Sequence, residues 1–455
     1  MARQPDRELD VSAGVGATPG ADHSTDSYLP AHGNGGYRVL HYDLDLDYRI
    51  VTNRLAGKAV ITARAIQSLT RFSLDLGRFR VQDVRVDGQP AKFTHQTGKL
   101  RVKPERPIAD GATFKIEVRY AGTPVPISSR WGDIGWDELT DGVLVASQPN
   151  GAPSWFPCND RPADKATFLV TLTAAAPYTV VVTGDLVSHR RGAGSRTWVY
   201  ERNEPTAPYL MSVQIGRYAL VHLAAGGVTQ RATVPPRLRA VFGHDFARHG
   251  EIMAALEGLF GPYPFREYVV VVADDDLDDP IEAQGMAVFG RNHLDGRRTH
   301  ERLVAHELAH QWFGNSLTVA DWRHIWLNEG FATYAEWLWS AASGGPSADA
   351  HAAEWHARLA MQPANIVIAN PGVERMFDPT VYKRGALTLH ALRTTIGDPA
   401  FFTLLRSWVA EHRHGTVTTD EFREHARRFA PGPVDDLLTA WLDRPALPAL
   451  PTFGP

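Results

Sequence analysis

His306, Glu307, His310 and Glu329 are the residues of this 455-residue chain whose types and spacing can do chemistry. His306 and His310 lie four positions apart, so on a helix their rings share one face, and both can reach a single metal ion at about 2.0–2.1 Å. Glu329 follows far enough downstream for that helix to end, for the chain to turn back through Asn315 to Trp326, and for a second helix to present a carboxylate. Two imidazoles and a carboxylate form a zinc ligand set that leaves a fourth position open for water, which points to metal-assisted hydrolysis of an acyl bond. Glu307, adjacent to a ligand, is directed beside the ion, where it can take a proton from water and pass it to a leaving amine. The competing reading of the two histidines is simple packing on a helix face.

The elements that must position these groups are legible nearby. Thr299 is placed as an N-cap, the stretch from His300 to Phe313 contains no proline or glycine, and Gly314 stops the helix. Glu336 lies two helical turns after Glu329, where it can accept a hydrogen bond from the outer nitrogen of a ligand histidine or stand in solvent as an ordinary helix glutamate. Upstream, Leu40, Tyr42, Leu44, Leu46, Tyr48 and Ile50 alternate with polar residues, the pattern of a half-buried strand. Short strands at Ala59–Ala65, Lys115–Tyr120 and Tyr178–Thr183 follow, with turns at Asp87-Gly88 and Gly192-Ala193-Gly194. The chain therefore divides into a tail of disordered composition over 1–27, a β-rich domain over 28–228 and a catalytic domain over 229–455. In the last of these helical periods dominate from about Pro235, interrupted by a β-rich stretch at Tyr268–Ala273 and including Val434–Leu442.

The run from His306 to Asn315, with Asp321-Trp322 and Trp326 to Ala332, resembles the zinc aminopeptidases of the aminopeptidase N and leukotriene hydrolase type, a branch of the gluzincins. Trp155 to Asp160 with Lys165 to Phe168, the segment at Gly285-Met286, and Val381 to Gly385 extend the resemblance in the same order, over roughly Tyr37 to Pro451. It implies an α+β, multidomain fold: a saddle-like all-β domain, then a thermolysin-like, mainly helical zinc-peptidase domain, in a short form lacking the long helical C-terminal domain of larger relatives. It also implies one Zn2+ ion on His306, His310 and Glu329, with Tyr382 donating to the oxyanion. On its residues alone, Tyr382 reads equally as a buried core tyrosine.

One segment departs from the family. Such aminopeptidases carry a Gly-x-Met-Glu-Asn run whose glutamate binds the substrate's α-amino group, whereas Gln284-Gly285-Met286-Ala287-Val288 places Ala287 at that glutamate. Glu282 is the nearest substitute, but in an extended segment it and position 287 face opposite ways unless a turn or bulge intervenes. Gln148 matches another amine-contacting position. The acidic run Asp274 to Asp276 with Asp278-Asp279 either makes the cleft entrance negative or is a solvated loop. The expected function is an aminopeptidase with a modified amine-recognition segment. A zinc endopeptidase or other hydrolase with relaxed end recognition, and a non-enzymatic binding protein, are the alternatives.

Composition agrees with a folded enzyme, and peptide substrates are the partners that the resemblance implies. A net charge of −4 provides no basic footprint for nucleic acid. The single cysteine, Cys158, excludes an internal disulfide framework and reads as a buried structural thiol. No apolar run is long enough to span a membrane and no signal-peptide core is evident, so a cytoplasmic monomer or homodimer is expected.

Overall fold

The structure, a computed structural model, describes residues 17–224, 227–430 and 432–451. The first unit is β-rich and the second mainly helical. Its largest sheet has eight strands; at its centre, strand β1 (Tyr37–Arg49) pairs antiparallel with β2 (Arg54–Ala65), which pairs with β3 (Thr113–Gly122), while β4 (Ala166–Ala175) runs parallel to β1 on its other edge. Tyr42, Leu44, Leu46 and Tyr48 of β1 are buried, as alternation requires. Leu40 corrects the expected pattern. It is 44% exposed and Val39 is buried instead, because the pairing with β2 shifts between Val39 and His41, a bulge that turns the preceding residues over. The expected strand at Tyr178–Thr183 is Thr179–Val182, in a separate five-stranded sheet.

The expected tail also needs correction. Residues 1–16 lie outside the described residues, but from Thr18 onward the chain is engaged. Thr18 pairs with Leu69, the Asp26 carboxylate accepts the backbone N–H of Trp322 at 3.0 Å, and the Ser27 hydroxyl donates to Asp321 at 2.6 Å. Of the small polar residues that suggested a tail here, Asp26 accepts from a backbone donor of the second unit and Ser27 donates to one of its carboxylates.

The second unit opens on a five-stranded sheet built from β5 (Ala219–Ala224), β6 (Thr229–Val234), β7 (Glu267–Ala273), β8 (Ile281–Ala283) and β9 (Met286–Gly290), in the order β5-β6-β7-β9-β8. The β5–β6 pair spans residue 228, the division expected from the sequence. Helices α1 (Glu301–Ala309), α2 (Trp326–Ala342), α3 (Ala348–Ala360) and α4 (Pro379–Ile396) then pack into one core. Helix α1 is shorter than expected at both ends. The Thr299 side chain is engaged with Asp295 and does not cap it, and beyond Ala309 the chain continues as a tightened turn in which the Phe313 N–H still reaches the Ala309 carbonyl at 3.1 Å. Helices α2 and α4 cross at Gly330 and Gly385, so closely that a Cβ on either glycine would lie 2.8 Å from the other's Cα.

The two units are joined by apolar packing and by a half-buried lysine. Leu144 and Val181 of the first pack with Val269, Met286 and Val288 of the second. Lys165, just before β4, donates from its ammonium to the carbonyls of Asn315, Ser316 and Gly415 at 3.0, 2.9 and 3.2 Å. Among the described residues no helix is long and apolar enough to cross a membrane.

Candidate active site

Helices α1 and α2 bring His306, His310 and Glu329 together inside the second unit. The Glu329 Oε2 lies 3.6 Å from the His306 Nε2 and 3.4 Å from the His310 Nε2, and one ligand atom from each of the three falls within 4.8 Å of the others. Each imidazole uses its other nitrogen elsewhere: Nδ1 of His306 meets Glu336 Oε1 at 2.8 Å, and Nδ1 of His310 meets the Phe313 carbonyl at 3.1 Å. Both acceptors require Nδ1–H, which leaves Nε2 as the free lone pair facing the cavity. Glu336 thus takes the supporting position and not the solvated one.

The charge balance of this cluster calls for a cation. Burial alone would lower both imidazoles, yet hydrogen bonds from Glu329 and Glu336 hold His306 up at about 9, and the charges of Glu329 and Glu282 hold His310 up at about 10. Burial opposes ionisation of Glu329 as well, but the two imidazoles carry its carboxyl down to about 2. A buried pocket with converging carboxylates and two correctly turned nitrogens matches the nitrogen and oxygen donor set of a catalytic zinc site, and the residues fit that ion.

Glu307 stands beside the trio. Its Oε2 is buried and meets no hydrogen-bond partner among the described residues, and burial, reinforced by Glu282 and Glu329 against the two imidazoles, pushes the carboxyl up to about 8. Tyr382, in the first turn of α4, lays its ring nearly parallel to that of His306, 6.3 Å away. Burial, then the surrounding carboxylates, raise its phenol well above the ordinary range, so it keeps its proton and can donate it in a hydrogen bond.

The amine-recognition segment is a hairpin, and that changes which residue faces the cleft. Strands β8 and β9 are joined by Gln284-Gly285, with Gly285 at φ +77° and its N–H donating to Gln311 Oε1 at 2.7 Å. The turn sets Glu282 directly across from Ala287, on the same face of the sheet. Glu282 lines the cleft, where Gln148 Nε2 donates to its Oε1 at 2.6 Å. Carboxylate atoms of Glu282 and Glu307 and a nitrogen of His310 fall within 4.8 Å of one another. Burial first, then Glu329, raise the Glu282 carboxyl, with His310 opposing. Ala287, one strand further in, is fully covered; Met286 faces the other side of the sheet and packs with Leu144 and Val181. Gly285, Met286 and Ala287 are not among the residues that line the cavity; the turn between the strands brings Glu282 onto the face that Ala287 shares.

The cleft has a volume of about 490 Å³. Among the lining groups not singled out from the sequence are Arg302, Lys383 and the pair Trp131–Phe377. Arg302 is one turn before His306 on α1, so the helical period could have found it. Trp131 could not be found that way. It sits between the paired strands Ile127–Ser129 and Gly132–Leu139 of the first unit and meets Phe377 edge to face at 5.6 Å across the domain boundary. Of the acidic run, Asp279 lines the cleft, whereas Asp274 pairs with Arg237 and Asp276 with Arg291 on the surface.

Two family models match the chain: the Peptidase M1 N-terminal domain over residues 38–210 and the Peptidase family M1 domain over 247–441. Aminopeptidase B of Mus musculus is 26% identical over 455 aligned residues, covering 92% of this chain and 68% of its own length. Aminopeptidase M1-D of Oryza sativa subsp. japonica is 24% identical over 322 residues, or 65% of this chain. The chain spans between about a third and a half of the plant relatives it matches. Over nearly its full length it is similar to a solved M1 zinc metallopeptidase from Deinococcus radiodurans, with 32% identity, coverage of 94% of this chain and 98% of that one, and a TM-score of 0.83.

Proposed function

The chain belongs to peptidase family M1, and from that premise we propose that it is a zinc-dependent aminopeptidase releasing residues one at a time from the free amino end of peptides. The observation that carries this reading is Glu282. It is a carboxylate held by Gln148 and set beside His310 and Glu307, and an α-ammonium bound there would have its first peptide carbonyl next to the metal trio. A buried ammonium needs such an anionic partner. The reading is further supported by the Deinococcus radiodurans relative, one structure of which is described as bound to a Tyr-ser-ala substrate, and by a similar two-domain M1 zinc metallopeptidase described as bound to L-arginine.

His306, His310 and Glu329 are the residues proposed to hold one zinc ion. The chemistry such an ion supplies when bound is Lewis acidity, which polarises a carbonyl and brings the pKa of water towards about 7. Glu307, whose buried Oε2 meets no hydrogen-bond partner among the described residues, would accept the proton of the attacking water and deliver it to the departing amine. Tyr382 would donate its phenolic hydrogen bond to the oxygen on which negative charge develops. Glu336 and the Phe313 carbonyl hold the two imidazoles in the tautomer these roles require. All these groups come from one chain, so the reading needs no second copy.

Mass spectrometry of digests of matched peptides, one with a free amino terminus and one acetylated, tests the proposal. Stepwise shortening of the free peptide only, abolished by a chelator and restored by zinc, is the expected result. Internal cleavage of the acetylated peptide would overturn it in favour of an endopeptidase.

A further inference from the structure

Glu336 is shared by three donors, two of which it does not satisfy. Its Oε1 meets the His306 Nδ1, and its Oε2 lies 3.3 Å from Nη1 of Arg302. The Lys383 ammonium is 3.8 Å from Oε1, beyond hydrogen-bonding range, and is steadied over the Trp355 ring at 5.0 Å. A guanidinium offers five N–H donors and an ammonium three. Among the described residues one hydrogen bond from Arg302 and none from Lys383 is made to a side chain or carbonyl. Both cations line the cleft, and the Arg302 side chain is 60% exposed. Arg302 and Lys383 thus share one carboxylate, Glu336, which leaves both cations with donors that it does not fill.

The opposite end carries the opposite sign. Arg302, His306 and His310 occupy successive turns along one face of α1, and Glu282, with Gln148, stands at the His310 end. At 1.5 Å per residue, Arg302 and His310 are separated by about 12 Å along the helix. An extended peptide advances about 3.3–3.6 Å per residue, so three or four residues cover that interval. The reacting groups fall between the two charged ends.

We propose that Arg302 and Lys383 bind the terminal carboxylate of short peptides, so that the cleft reads both ends of a tri- or tetrapeptide at once. The proposal rests on the aminopeptidase reading and deepens it to a substrate class: short zwitterionic peptides, preferred over the same peptides with an amidated end. Carboxylate recognition by a guanidinium and an ammonium is charge-assisted and geometrically selective. If the two cations served only to hold Glu336 behind His306, the charge at the far end of the substrate would not matter.

The test separates this proposal from the reading beneath it. Calorimetric titration of the zinc-loaded Glu307→Gln protein with trialanine and with trialanine amide measures end recognition without turnover. Affinity about tenfold or more in favour of the free acid, falling to near parity in the Glu307→Gln background with Lys383→Met or Arg302→Met added, is the expected result. Equal affinities in the parent would overturn the proposal, as would a loss in the added variants that weakens acid and amide alike. Turnover of leucine anilide by the unmutated protein reports separately on the aminopeptidase reading, since that compound has no terminal carboxylate. A ten-residue peptide should show no difference between acid and amide, because its end lies outside the cleft.

Discussion

Glu282 and Ala287 face each other across the β8–β9 hairpin, yet only Glu282 stands at the cleft, hydrogen-bonded to Gln148, while Ala287 is covered one strand further in. Replacing Glu282 by Gln keeps the shape and the contact with Gln148 but removes the charge. Losing one partner of a desolvated charge pair costs about 2–5 kcal/mol, so kcat/KM for free-amino peptides should fall by about 30-fold or more. Steady-state kinetics on leucine anilide provides the measurement; an unchanged value would remove Glu282 from amine recognition.

The same hairpin predicts the opposite fate for a glutamate at position 287. Ala287→Glu would force a carboxylate into a site with no solvent exposure, beneath α1 and close to existing acids. Rather than improving amine binding, it should lower stability by about 3 kcal/mol or more. Urea unfolding followed by tryptophan fluorescence would show this as a lowered midpoint.

Glu307→Gln removes the proton acceptor while leaving all three ligand side chains in place. Zinc content by atomic absorption should stay at one per chain, and turnover should fall by about 10²–10⁴-fold. Retained turnover would exclude Glu307 as the general base.

Metal binding should be proton-linked. In the metal-free protein His306 and His310 are held at about 9 and 10, so both carry protons at neutral pH, whereas a ligand imidazole must be neutral. Loading zinc therefore expels protons, and apparent affinity rises as pH increases towards the raised histidine values. Calorimetry in buffers of different ionisation enthalpy would reveal the release, and affinity that is flat between pH 6 and 8 would contradict it.

Gly385→Ala tests how α2 and α4 are spaced. The added methyl would press on the Gly330 backbone, next to Glu329, so the helices must part and carry Glu329 away from Tyr382. A loss of about 1–3 kcal/mol in stability is expected, together with a larger fall in kcat, since misplacing reacting groups by about 1 Å can cost 10²-fold. Thermal unfolding and kcat measured on one preparation would separate the two effects.

Much of the site could be read from local spacing. His306 and His310 are set by the helical period, and Glu336 follows from the same period applied to Glu329. What escaped depended on contacts between segments. The role of Glu282 turned on two residues, Gln284 and Gly285, forming a turn where a continuous strand was equally plausible. Leu40 was misplaced by a bulge whose cause lies in the partner strand. Asp26 and Ser27 looked like tail residues because their partners, Trp322 for the Asp26 carboxylate and Asp321 for the Ser27 hydroxyl, lie almost three hundred positions away. The fold class was plain for a different reason: strand alternation and helical periods occupy separate stretches of the chain.

The Lys165 ammonium ends on three carbonyls of the second unit, two of them in the turn that follows the histidine helix. Every group proposed to touch zinc belongs to that unit, which invites trimming the enzyme down to it. Such a fragment would lose the donor that those carbonyls share, Gln148, which steadies Glu282, and Trp131, which lines one side of the cleft. The β-rich half is thus a working part of the catalyst, and the smallest active form of this protein should need both halves.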